Sequence, residues 1–265
     1  MNYDKEYDVN GIVQFDAAKE LLKLLPKNVP RVLDVGCGSG KVTQLIREHT
    51  SAERIYAIDQ SQQMIVEASN AYPSPTVSYI HSSIEDFDLE SIGTLDRTVD
   101  LVTSNSSFQW FRDHSAALSN IRNTLSNDGV FVLQTPCKEN WCPTIVSLID
   151  DFFAQCYPQL KPHHHFPCMH LEEVDDYRQL FAENGFEVDE IYLKTFEYDL
   201  TVEDFLKVFK SGAFKVYSYQ DWFDVTLPDG YTEALLQFVA NYAKNHNQIS
   251  ISMPRVFAKL RKLYP

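Results

Sequence analysis

Val32-Leu33-Asp34-Val35-Gly36-Cys37-Gly38-Ser39-Gly40 is the stretch that decides how this chain is read. The apolar run from Arg31 to Val35 predicts a buried parallel strand. Three glycines follow at alternate positions, and Val42-Thr43-Gln44-Leu45-Ile46 resumes at helical spacing. Glycine lets the backbone turn sharply and lets a ligand lie against the main chain, where a side chain would clash. The helix that follows points its free N–H groups at whatever occupies the loop. A strand–turn–helix cofactor seat on Gly36, Gly38 and Gly40 is the expectation.

The dinucleotide fingerprint is G-x-G-x-x-G. Here the glycines run G-x-G-x-G, and an acid, Asp34, precedes them. A pyrophosphate wants bare N–H groups and would be repelled by that carboxylate. A cationic or zwitterionic group, such as an α-ammonium, suits it. On these residues alone, an ordinary strand–turn–helix of some other α/β protein stays open.

The following strands repeat the theme. Ile55 to Asp59 reads as a second apolar strand ending in an acid that can accept both hydroxyls of a ribose. Ser61 is a candidate N-cap for the next helix, and Met64 is placed to cover an adenine face or to pack in the core. Val77 to His81 predicts a third strand, leading to Ser82-Ser83-Ile84-Glu85-Asp86. Val99 to Ser104 predicts a fourth, ending in Asn105-Ser106-Ser107-Phe108-Gln109-Trp110. Helical spacing from Asp113 to Leu125 is stopped by Asn127-Asp128-Gly129, and Val130 to Gln134 predicts a fifth strand. In open parallel sheets ligands bind outside the carboxyl ends of the strands. Polar residues at four successive strand ends, Gln60 and Asn105 among them, therefore read as a cofactor-binding set in a doubly wound α/β fold.

The glycine turn resembles motif I of the class I S-adenosylmethionine-dependent methyltransferases, whose cofactor carries an amino-acid tail. That resemblance implies a Rossmann-like sheet of seven strands, mostly parallel with the last antiparallel, and S-adenosylmethionine as cofactor. It implies cofactor contacts at Asp34, Gly36, Gly38, Gly40, Asp59, Gln60, Met64, Ser83, Ile84 and Asn105. Ser83 departs from the family, which usually places an Asp there for the adenine amino group, with the backbone of the next residue, here Ile84, on a ring nitrogen. Glu85 and Asp86 are possible substitutes or exposed helix-start acids.

Ser104 to Trp110, followed by Asp113-His114, resembles the carboxyl O-methyltransferase branch. That branch includes the malonyl-acyl carrier protein, trans-aconitate and juvenile hormone acid methyltransferases. Tyr7, Asn10 and Gln14 resemble its opening helix. The resemblance implies that Gln14 and Trp110 hold the acceptor carboxylate. A carboxylate has an unperturbed pKa of about 4 and is already a nucleophile at neutral pH, so no base is needed. Two alternatives stay open. One is an N, C or hydroxyl acceptor served by a His or Tyr base, with His114 the main candidate and Tyr7 placed to bridge to the cofactor or to pack. The other is a cofactor-binding module without catalysis.

Composition sets the bounds. The 265 residues suit one methyltransferase domain: an N-terminal helical cap (1–30), a cofactor-binding core (31–136) and an acceptor-side half (137–265) with a helical lid at about 197–248. The cap helix carries Phe15, Ala18, Leu21, Leu22 and Leu25, and Pro26 and Pro30 break it. Predicted helices cover Thr144–Tyr157, Glu172–Asn184, a start at Thr201, and Tyr231–Asn245; strand character returns at Glu187–Phe196 and Ile249–Leu260. Phe209, Phe214, Tyr217, Tyr219, Trp222 and Phe223 are lid aromatics, mostly lid core with a minority facing an acceptor.

A net charge of −14 argues against a nucleic-acid backbone or an anionic membrane as partner. Five cysteines, an odd number, and the lack of a signal peptide or membrane-length apolar run point to reduced thiols in the cytoplasm. His163-His164-His165 with Cys168 and His170 lacks metal-ligand spacing, so no metal is expected. The expected partner is a small-molecule acid or an acyl carrier protein, for which Lys207, Lys210 and Lys215 form either a docking patch or a solvated face. The oligomeric state is not set by these residues, with a monomer the default.

Overall fold

A computed structural model describes residues 12–92, 94 and 96–263. The elements run α1 (Ile12–Leu22), β1 (Arg31–Val35), α2 (Lys41–Thr50), β2 (Arg54–Asp59), α3 (Gln62–Ala71), β3 (Val77–His81), β4 (Val99–Asn105), α4 (His114–Thr124), β5 (Leu125–Pro136) and α5 (Pro143–Cys156). They continue with α6 (Val174–Glu183), β6 (Phe186–Leu200), α7 (Val202–Ser211), α8 (Ala213–Ser218), α9 (Tyr231–Lys244) and β7 (Ile249–Lys262). The seven strands form one sheet of order β3-β2-β1-β4-β5-β7-β6. β1 pairs in parallel with β2 and β4, β2 with β3, and β4 with β5, while β7 runs antiparallel to β5. The expected doubly wound sheet with an antiparallel last strand is therefore present.

The chain winds from β1 out to β3, then returns to β4 on the other side of β1. The strand order reverses between β1 and β4, and such a switch point opens a crevice at the carboxyl ends of the strands. The glycine turn leaves β1 there, and Asn105 to Trp110 leaves β4 beside it. Leu33, Tyr56, Val102, Phe131 and Leu133 from the strands pack with Leu118, Ile121, Phe181 and Phe186 in one buried cluster. That fixed sheet is what holds the strand ends in place.

Two boundaries differ from the sequence reading. β5 begins at Leu125, before the expected stop at Asn127-Asp128-Gly129. The register jumps from Val99↔Leu125 to Leu101↔Val130, so the turn residues form an excursion within a pairing that closes on both sides. After Leu22, backbone bonds from Lys23, Leu24 and Leu25 to Glu20, Leu21 and Leu22 tighten α1 into a turn ahead of Pro26.

The chain forms two compact units. A sheet unit comprises Gln14–Lys138, Met169–Lys194 and Arg255–Pro265. Among the described residues, a helical unit comprises 12–13, Glu139–Cys168 and Thr195–Pro254. In the helical unit the insertion expected between the sixth and seventh strands is present as α7, α8 and α9. Thr201 caps α7 by accepting from the Asp204 N–H, as its sequence predicts. Phe152 of α5 meets the rings of Tyr157, Tyr231 and Phe238 at 5.5, 5.6 and 5.4 Å. Phe209, Tyr217 and Phe223 are buried, which makes them core, while Tyr219 is exposed.

Candidate active site

The three glycines of the turn are glycine for different reasons. Gly36 has φ +75, and a Cβ there would stand 2.0 Å from the Ser107 hydroxyl, which lies across it and donates to the Val35 carbonyl at 3.0 Å. Gly40 has φ +84, and its Cβ would press on Ala68 and the Tyr79 hydroxyl at 3.0 Å as the chain enters α2. Gly38, φ +54, has no atom within 4 Å of where a Cβ would be. Protein fills the space at two glycines, and the third faces an open cradle.

Asp59 shapes that cradle. Its two oxygens accept from the Gly38 N–H at 2.9 Å and the Ser61 N–H at 2.8 Å, which ties the end of β2 to the turn. One lone pair on each oxygen remains for a ligand hydroxyl. Gly36 and Cys37 both donate to the Ile58 carbonyl, at 2.9 and 3.0 Å, and Gly40 donates to Cys37, so the turn is rigid.

Asp34 lies below it, buried, and accepts from the Thr43 hydroxyl at 2.6 Å. Burial pushes its carboxyl up to about 7; the Thr43 bond opposes this and the nearby Asp59 charge adds to it. Burial and the same two carboxylates drive the Cys37 thiol far above its ordinary range. Asp34 and Asp59 place two acids at the turn, which suits a ligand's ammonium group.

The adenine-side candidates follow β2 and β3. Ser61 caps α3, accepting from the Met64 N–H at 3.4 Å, and Met64 is half-buried. The exposed Gln60 offers its carbonyl to His81 Nε2 at 3.0 Å. Ser83 donates its hydroxyl to Asp86 at 2.8 Å and accepts from the Asp86 N–H and from Arg112. Ile84 is buried, its carbonyl accepting from Asn120 at 3.0 Å. Glu85 and Asp86 sit in a turn with no α-helix after it, and Glu85 accepts from the Arg112 N–H at 2.8 Å. Their fit as helix-start acids is thus corrected: they clamp the β3 loop to the β4 loop.

Trp110 ends a single 3₁₀ turn at Phe108–Trp110, its N–H bonded to the Ser107 carbonyl, and is half-buried. His114 donates Nε2–H to the Phe108 carbonyl at 2.9 Å and packs edge-on against the Phe108 ring. Burial lowers its pKa. It clamps the turn that carries Trp110.

Gln14 lies half-buried in the first turn of α1, and its carbonyl accepts from Asn105 Nδ2 at 3.5 Å. Lys41, at the start of α2, sits 5.2 Å above the Phe15 ring. Both contacts bring α1 to the strand ends around the glycine turn. Tyr7 and Asn10 lie outside the described residues.

Four participants escaped the sequence reading. Thr43 partners Asp34, and Ser107 covers Gly36. Gln134 and Arg255, both buried, bond to each other and to Ser106 beside Asn105. Thr43 falls within the quoted helix and was within reach of the spacing argument. Arg255 lies on the last strand, and nothing local marks it.

In the helical unit, Asp224 accepts from His163 at 2.6 Å and His165 at 3.4 Å, and His164 bonds the Val216 carbonyl. These histidines pin a loop. Among the described residues no group of His, Cys, Asp and Glu could hold a metal ion, and no helix is long and apolar enough to cross a membrane. All five cysteines are free thiols.

Residues 10–191 match the model of a family described as a methyltransferase domain. The chain belongs to that family. S-adenosylmethionine is the cofactor of its class I members, and the open space at Gly38, beside Asp59, fits a zwitterionic amino-acid tail. The trans-aconitate 2-methyltransferase of Escherichia coli O7:K1 is 33% identical over 176 residues. The matched stretch covers 65% of this chain and 63% of that relative. Among solved structures, the YcgJ protein of Bacillus subtilis aligns with a TM-score of 0.59 at 14% identity, covering 95% of this chain and all of that one. An S-adenosylmethionine-dependent methyltransferase of Mesorhizobium loti aligns at 0.53 and 15%, covering 96% and 100%. At such identities the two structures speak for the fold alone.

Proposed function

We propose that this protein is an S-adenosylmethionine-dependent methyltransferase that methylates a carboxylate of a small-molecule acid, free or presented on an acyl carrier protein. The observation that carries the reading is the acid-flanked turn with its one open glycine, Gly38. The cofactor, when bound, supplies an electrophilic methyl group on a sulfonium. Asp34 and the Gly36, Gly38 and Gly40 backbone hold the amino-acid tail. Asp59 accepts from the ribose hydroxyls through its remaining lone pairs. Gln60, Met64, Ser83 and Ile84 line the adenine side, and Asn105 closes the set at the end of β4.

The acceptor side supports a carboxylate over other nucleophiles. Trp110 and Gln14 offer neutral N–H donors, which orient an acid without quenching its oxygen. Methyl transfer then depends on alignment, so positioning supplies most of the rate. Buried Arg255 at the same strand ends adds positive charge suited to an anionic acceptor. A hydroxyl or amine acceptor would need a base, and His114, whose Nε2–H donates to the Phe108 carbonyl, could serve only through Nδ1. The 33% identical trans-aconitate enzyme points the same way. In this reading the chain is one methyltransferase domain, and the helical segment from about 197 to 248 sets its acceptor specificity.

The test is transfer of labelled methyl from S-adenosylmethionine to a panel of acids of differing size, with and without a carrier protein. The label should leave on mild base treatment, as an ester does. Trp110→Phe should lower kcat/KM by about tenfold to a hundredfold and leave cofactor affinity unchanged. Base-stable product would overturn the carboxylate reading, and full activity in Trp110→Phe would overturn the role of Trp110.

A further inference from the structure

We propose that Arg255 is a positioning residue for the acceptor side of the site, acting through Gln134 and Asn105 on the first turn of α1. This rests on the reading of Gln14 as an acceptor-holding residue.

Gln134 sits on β5 opposite Asn105 of β4 and Phe257 of β7, fully buried. A buried amide must have its groups bonded, and its oxygen and nitrogen ends are interchangeable until a neighbour decides between them. Arg255 decides, because a guanidinium only donates. Its Nη1 donates to Gln134 Oε1 at 3.1 Å and to Ser106 Oγ at 3.1 Å. The amide oxygen must therefore face Arg255, which turns Gln134 Nε2 toward Asn105 Oδ1, at 3.1 Å, and toward Ser106 Oγ.

With its oxygen accepting from Gln134, Asn105 must present Nδ2 on the other side, where it donates to the Gln14 carbonyl at 3.5 Å. Direction is forced along the chain from guanidinium to helix. Ser106 shows the same constraint in its backbone: it holds φ +58, unusual for a serine, while its N–H donates to the Gln134 carbonyl at 3.1 Å.

The far end of α1 is secured separately. Glu20 accepts from Lys194 at 2.6 Å and from Tyr192 at 3.3 Å, and the Tyr192 ring stacks on Phe257. The relay from Arg255 therefore governs the Gln14 end alone, and Glu20 the other.

Gln134→Glu separates this role from mere packing. It keeps an acceptor for Arg255, so the fold survives, but it cannot donate to Asn105. Asn105 then turns its amide to donate to the new carboxylate and faces its own oxygen toward the Gln14 carbonyl. Expected are an acceptor KM raised about tenfold with a smaller fall in kcat, and amide exchange about tenfold faster at residues 16–18, whose N–H groups bond to carbonyls of the first turn, but not at 20–22. Arg255→Gln, whose amide can point either way, should behave likewise. Arg255→Lys, still a donor only, should restore most of the protection.

Unchanged exchange and KM in Gln134→Glu would overturn the relay. If the parent protein methylates no acid, the carboxylate reading falls, and the exchange comparison still decides the relay.

Discussion

At the strand ends of the sheet unit, Asp34 bonds Thr43 of the next helix, Asp59 bonds the glycine turn, and Gln134 bonds Asn105 of β4 and Arg255 of β7. In the helical unit, Phe152, Tyr231 and Phe223 are held by ring packing, and Lys207 pairs with Glu203 and Asp204 on its own helix. The first region is built from directional contacts, each with one geometry that satisfies it. The second is built from apolar volume, which many sequences of similar size would fill. Damage should therefore differ in kind: at the ligand-facing positions of the sheet unit it removes binding, and in the helical unit it removes stability.

The largest effect is expected from Phe152→Ala, which empties the centre of the aromatic cluster. It should cost about 3–5 kcal/mol in urea unfolding, while the folded fraction binds S-adenosylmethionine with unchanged Kd. Loss of cofactor binding ahead of unfolding would break the comparison.

Gly36→Ala comes next. Its methyl would overlap Ser107 in a left-handed conformation, for about 2–5 kcal/mol of destabilisation. Gly38→Ala has no such clash. It should cost about 1 kcal/mol of stability yet weaken cofactor binding more than tenfold, because its methyl would enter the open cradle. Equal stability losses in the two variants, measured by denaturant titration, would erase the proposed division of labour.

Asp34 supplies a pH test. Its carboxyl is raised from an ordinary value of 3.8 to about 7 by burial. Between those values the folded protein holds a proton that the unfolded chain has lost, so without cofactor its contribution to stability falls as pH rises through this window. A bound ammonium favours the ionised form. Cofactor affinity should thus rise about tenfold per pH unit up to about 7 and then level off, with proton release visible calorimetrically. Asp34→Asn should flatten the profile. A flat profile in the parent protein would remove Asp34 from the cofactor site.

The smallest effects should come from the lysines. Lys207→Ala should shift Tm by no more than about 1 °C, since an exposed pair within one helix contributes little. Reversing Lys210 and Lys215 to Glu should leave turnover of a free acid unchanged. A raised KM confined to a carrier-bound acceptor would give the helical surface a docking role.

The legible parts of the molecule follow the same division. β1 and β3 were readable to the residue, and the N-caps Ser61 and Thr201 were found by residue type and offset. Local rules sufficed there because strand burial and capping are decided within a few positions. The sequence at 126–129 has the residues of a stop, and only the partner strand, re-pairing at Leu101, keeps it inside β5. Ser83 was read for a ligand, and its hydroxyl is engaged first by Asp86 and Arg112.

What the sequence determined by itself was the order of strands and helices, the acid-flanked glycine turn and the family to which they belong. Those depend on periodicity, backbone freedom and charge at fixed spacing. Tertiary structure alone decided which glycine faces open space, which way the Gln134 amide points, and that Arg255 reaches Ser106 from 149 residues along the chain. Those depend on what another strand brings alongside, and no local pattern records it.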